Sequence, residues 1–133
     1  MANDYFLRLS NVASEVVPFQ AVARKGNRAV WPALKGVSIA QVEIPVGSWR
    51  GPHRHLNAPE LAVIVQGQAR AGLVTNDDKL VEVDLEVGDC VFFPTGWTHW
   101  LHNTGDVPVV TYFNYGHEQP VTEEVDTDKA KHR

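Results

Sequence analysis

The chain is cut at short intervals by Gly, Pro, Asn and Asp, and the stretches between these cuts are rich in β-branched and aromatic residues. That rhythm leaves room for short strands and for little else. Residues 36–46 alternate, with Val37 and Ile39 set against Ser38 and Ala40. Residues 61–65 are continuously apolar, which predicts a strand buried on both faces. Residues 68–74 continue after Gly67 and end in a polar turn at 75–79. Residues 80–87 alternate, with Val81, Val83, Leu85 and Val87 on one face and Glu82, Asp84 and Glu86 on the other. Further strands are predicted at 90–93, 98–103 and 107–115, separated by the turns around Pro94–Gly96 and Thr104–Asp106. At the start, residues 7–11 read as a short strand or turn, 15–23 as extended with Pro18 excluding a helix interior, and 24–28 as a turn. No stretch has sustained helical periodicity. The prediction is an all-β sandwich or barrel.

Length and charge narrow the function classes. A chain of 133 residues suits one domain. We divide it into an N-terminal arm with strands at 1–35, a barrel at 36–118 and a polar tail at 119–133. The acidic run Glu123–Asp126 is read as part of a solvated tail. A net charge of −4 offers no basic surface for nucleic acid or anionic membrane. No apolar stretch approaches membrane-spanning length, and the N-terminus has no signal-peptide pattern. A cytoplasmic setting is therefore expected. The one cysteine, Cys90, excludes an intramolecular disulfide and reads as a buried small side chain.

The chemistry concentrates in residues 47–67, GSWRGPHRHLNAPELAVIVQG. On a strand His53 and His55 point the same way. The chain can turn through residues 56–59, so that Glu60 opens the next strand and joins them. Two imidazoles and a carboxylate outline a metal site. The second stretch, 88–103, reads GDCVFFPTGWTHWLHN and supplies His99 as the fourth ligand. His102 falls on the opposite face from His99 and is disfavoured as a ligand. Three neutral imidazoles and one carboxylate leave a divalent ion positively charged, and octahedral geometry leaves two positions open for chemistry. Gly47, Gly67, Gly88 and Gly96 stand where strands must turn tightly. Pro94 and Asn103 also read as turn-shaping residues. The aromatic residues, Trp49 and Trp97 included, read first as core or interface.

The two stretches fit G-x5-H-x-H-x4-E-x6-G and G-x5-P-x-G-x2-H-x3-N at every anchor. Together they resemble the two motifs of the cupin superfamily, with the short spacing of compact single-domain bacterial cupins. The resemblance implies a cupin-type jelly-roll β-barrel with a divalent ion inside it, in a homodimer. The run 47–55 is similar to oxalate decarboxylases and their single-domain relatives, and 55–60 and 102–108 also resemble the decarboxylase and germin branch. This implies Mn(II) on His53, His55, Glu60 and His99, with Fe(II), Ni(II) or Zn(II) suiting the same donors. It implies a small carboxylate substrate such as oxalate, and metal and dioxygen chemistry of decarboxylase or oxidase type. Arg50 would contact the carboxylate. Strand parity, however, sets Arg50 on the opposite face from His53 unless Gly51–Pro52 alters it. In the decarboxylases a lid after the second motif carries a glutamate acid. Here Glu118 is the carboxylate of that region and the candidate acid, although the lid motif itself is not reproduced. The alternatives are a cupin dioxygenase or isomerase, or a non-catalytic cupin that binds a metal and a small ligand.

Overall fold

The computed structural model describes residues 4–130. Eleven strands run in chain order: β1 (Glu15–Val16), β2 (Val22–Gly26), β3 (Ser38–Ile44), β4 (Trp49–His55), β5 (Glu60–Gln66), β6 (Ala69–Val74), β7 (Leu80–Leu85), β8 (Cys90–Phe93), β9 (His99–Asn103), β10 (Val109–Tyr115) and β11 (Thr122–Glu124). Three single 3₁₀ turns, Leu9–Asn11, Pro18–Gln20 and Asp128–Ala130, are the helical elements among the described residues. None is long or apolar enough to cross a membrane.

The strands form two antiparallel sheets. One has the order β1-β2-β3-β10-β5-β8, the other β11-β4-β9-β6-β7. Strands distant in sequence lie side by side, and the sheets face each other as a jelly-roll sandwich. The core between them is built from small and branched side chains, among them Ala40, Val42, Ile44, Ala62, Ile64, Ala71, Leu101 and Val109, capped by Phe93 and Phe113. The motif glycines Gly47, Gly67, Gly88 and Gly96 all have φ between +76° and +93°. At Gly67 a Cβ would also stand 2.9 Å from the Pro108 carbonyl oxygen, so this turn has no room for a side chain.

Several local expectations need correction. The predicted turn at 24–28 begins late, because Arg24, Lys25 and Gly26 continue β2 by pairing with Gln41, Ala40 and Ile39. The apolar run 61–65 is not buried on both faces: Ala62 and Ile64 face the core, while Leu61 and Val65 are 46% and 44% exposed. On β7 only Leu85 is buried, because β7 is an edge strand and Val81 and Val83 sit at the open side. Cys90 is exposed, since it lies opposite Val63 on the outer face. The segment read as a solvated tail contains β11, which pairs with β4 through Thr122–His55, Glu123–Arg54 and Glu124–His53. Ion pairs to Arg54 and Arg50 hold Glu123 and Glu124 there.

Candidate metal centre

The centre lies where β4, β5 and β9 converge inside the sandwich. His53 faces His99 across the β4–β9 ladder, and Glu60 opens β5 after the turn that follows His55. Each of the four residues brings one ligand atom to within 4.8 Å of the others, and all four side chains are buried. His55 Nε2 lies 2.8 Å from Glu60 Oε1, and His99 Nε2 lies 3.3 Å from the same oxygen.

The contacts on the far side of each ring orient the group. His53 Nδ1 donates to the Gly51 carbonyl at 2.8 Å, and His99 Nδ1 donates to the Trp97 carbonyl at 2.9 Å. A carbonyl oxygen only accepts, so in the neutral rings the proton sits on Nδ1 and the Nε2 lone pair is free. His99 thus faces an acceptor on each side, the Trp97 carbonyl and Glu60 Oε1, and a neutral imidazole has one N–H with which to satisfy them. A cation on the Nε2 side resolves the conflict. Glu60 carries the same signature: Oε2 is fully buried with no hydrogen-bond partner among the described residues. The donor set therefore fits a divalent cation. His55 Nδ1 meets the Thr122 hydroxyl at 3.1 Å, a contact supplied by β11. Phe93 stacks on His99 with ring centroids 4.0 Å apart.

Electrostatics favour the ligand forms. Burial pushes the Glu60 carboxyl upward, but in the metal-free site the neighbouring His99, His55 and His53 imidazoles, which stand where positive charge favours the carboxylate, outweigh it, and Glu60 stays ionised well below the usual carboxylate range. Burial holds the His53 imidazole well below its ordinary value, reinforced by the charges of His99 and Arg50. Burial, with the Glu60 charge beside it, raises the Tyr115 hydroxyl well above its ordinary value.

Arg50 reaches the same interior by a device that strand parity alone does not reveal. Arg50 opposes Leu101 and His53 opposes His99, so three steps on β4 match two on β9. This β-bulge at Gly51–Pro52 inserts one residue and turns Arg50 to the side of His53. A Cβ on Gly51 would lie 2.2 Å from the Phe19 ring, so the bulge also depends on the absence of a side chain. Arg50 is buried and lines, with His53, His55, Lys25, Phe113, Tyr115, Thr122 and Glu124, a cavity of about 130 Å³. Its guanidinium makes a bidentate pair with Glu124, at 2.8 and 3.0 Å.

Glu118 is not brought to the centre. It does not line the cavity; its carboxylate pairs with His117 at 2.9 Å. Hydrogen bonding to backbone N–H groups lowers its pKa, the opposite of what a proton donor needs. His102, disfavoured as a ligand, stacks outside on Trp49 at 4.4 Å. Trp97 packs against the core. Asn103 ties the barrel end together, donating to the Ile44 and Val107 carbonyls. Sequence reasoning missed Tyr115, Thr122 and Glu124. Tyr115 lies in the strand predicted at 107–115, whereas Thr122 and Glu124 fall in a segment polar at every position, which offers no alternation to read.

The family profile described as cupin matches residues 19–130. The chain belongs to the cupin family. Among relatives of this cupin, the germin-like protein subfamily 2 member 1 of Arabidopsis thaliana is 34% identical over 100 residues, covering 72% of this chain and 46% of that protein. Germin-like protein 9-3 of Oryza sativa subsp. japonica is 35% identical over 94 residues, covering 69% and 44%. The cupin spans about half the length of the curated relatives it matches. Among solved structures, an oxalate oxidase superposes with a TM-score of 0.85 at 22% identity, covering 93% of this chain and 65% of that one. The oxalate decarboxylase of Lactobacillus farciminis, in a formate complex, gives 0.82 at 22%, covering 87% and 34%. These likenesses establish the fold that the two motifs imply.

Proposed function

We propose that this cupin is a metal-dependent enzyme acting on a small carboxylate such as oxalate, with Mn(II) held by His53, His55, Glu60 and His99. The observation that carries this reading is one small cavity lined both by a buried arginine and by His53 and His55, two members of the four-donor cluster. Germin-like relatives and oxalate-handling structural neighbours support the same class. A divalent ion on these donors supplies Lewis acidity and open positions for a substrate oxygen and a co-reactant. The chain's own residues do the rest. Arg50 holds a carboxylate through paired N–H donors and neutralises its charge. Tyr115, which keeps its proton at ordinary pH, offers a donor from the cavity wall. The apolar walls, Ala40, Val42 and Phe113, exclude water. A homodimer in the cytoplasm completes the proposal. The exposed Leu61, Val65 and Phe92 support an interface, and the lone cysteine suits a reducing compartment.

A second reading, a non-catalytic cupin that binds a metal and a small acid, is favoured by one observation. Glu118 lies away from the cavity, and the carboxylate that does line it, Glu124, is tied to Arg50. The deciding experiment is elemental analysis of protein purified without added metal, followed by oxalate titration and product assay on the Mn(II)-loaded protein. Turnover supports the enzyme; binding without products supports the second reading. His99→Ala should lose most of the metal, and Arg50→Ala should keep the metal but bind oxalate at least tenfold more weakly. Full metal occupancy in His99→Ala, or a loaded protein that does not bind oxalate or related acids, would sink the proposal.

A further inference from the structure

Two cations line the cavity, Arg50 and Lys25, and each is already paired with a carboxylate of the chain. Glu124 on β11 holds Arg50, and Glu15 on β1 holds Lys25. Both carboxylates come from edge strands, one from each sheet. The two partners at Arg50 are unequal. The arginine side chain is 7% exposed and the glutamate 46%. A buried guanidinium left without an anion carries a heavy desolvation penalty, so Arg50 needs a carboxylate at all times. The exposed Glu124, by contrast, can turn into water at little cost. A ligand carboxylate binding Arg50 in the same bidentate manner would need the N–H donors that Glu124 now uses.

We propose that Glu124 is a resident carboxylate that a ligand must displace, so that entry to the centre is an exchange of one carboxylate for another at Arg50. This rests on the carboxylate reading above and deepens it. Exchange creates no new charge pair at Arg50. A monocarboxylate therefore gains little by entering. An acid with a second oxygen donor for the histidine–glutamate centre gains that second contact in full. The site selects bifunctional small acids, oxalate-like or 2-oxo acids, over simple monocarboxylates.

The test is calorimetric titration of Mn(II)-loaded protein with oxalate and with acetate. The wild type should bind oxalate far more tightly than acetate. Glu124→Gln should bind both acids about two- to fivefold more tightly, the range that releasing a partly exposed ion pair provides. The gain should vanish when Arg50→Ala is added. Glu123→Gln, which alters only the exposed pair with Arg54 on the same strand, should bind as the wild type does. Glu124→Asp keeps the charge on a shorter arm and should fall between; it carries the test if the glutamine variant melts too low to titrate. Arg50-dependent oxalate binding in the wild type with no tightening in the Glu124 variants overturns this inference alone. Equal tightening in Glu123→Gln assigns the gain to net charge and also overturns it. No binding of either acid by any variant overturns it together with the carboxylate reading.

Discussion

His53 sits where burial and the charges of its neighbours act together. Its ring is buried, its Nδ1 is committed to the Gly51 carbonyl, and its neighbours include the Arg50 guanidinium. Its imidazole titrates well below 6.5 in the folded chain and near 6.5 when unfolded. Below pH 6.5 the unfolded chain therefore binds the extra proton first. The stability from neutral His53 is fully present above that pH and is lost as pH falls toward the depressed folded value. The metal-free protein should melt lower at pH 5 than at pH 7.5, with a slope of at most about 1.4 kcal/mol per pH unit from this group. Melting curves across that range check it, and His53→Gln should flatten the dependence. A second residue-scale prediction concerns Gly72. A Cβ there would lie 2.2 Å from the buried Trp100 indole. Gly72→Ala should cost about 1–3 kcal/mol, read as a lower urea midpoint at unchanged slope. The four donors were legible from their types and spacing alone. Arg50 was legible in type but not in direction, because a bulge leaves only the Gly51–Pro52 pair as a trace.

At the scale of elements, β11 has an influence out of proportion to its three residues. Thr122 meets His55 and Glu124 meets Arg50, so one edge strand touches both halves of the centre. Thr122→Val removes the hydroxyl behind His55 while keeping the shape. It should weaken metal binding about 10- to 100-fold, as loss of an orienting partner does, with little change in melting of the metal-free protein. Competition with a chromophoric chelator measures it. The sequence Thr-Glu-Glu is polar on both faces and carries no strand signal of its own. It forms a strand because β4 offers it a ladder and two arginines, a non-local cause that composition does not record. Strands with a core-facing apolar row, such as β3 and β10, were readable for the opposite reason.

The molecule as a whole is a two-sheet sandwich with an exposed apolar patch on the outside of β5 and β8. Leu61 and Val65 of β5 lie on the same side as Phe92 of β8, which pairs directly with Leu61. If the proposed homodimer forms through this patch, Leu61→Lys combined with Phe92→Lys should convert it to a monomer in sedimentation velocity without lowering metal content. Sedimentation of the wild type as a monomer would remove the interface. Continuous apolarity at 61–65 was visible in the sequence, but sequence cannot say whether an outward side chain meets another sheet, another copy or water. Chain order adds one more consequence. The ladder puts β11 beside β4, yet β11 follows every other strand in the order of synthesis. At about 5–20 residues per second, His99 is made on the order of seconds before Glu124. A growing chain therefore has all four donors before it has the hydroxyl that steadies His55 and the carboxylate that occupies Arg50.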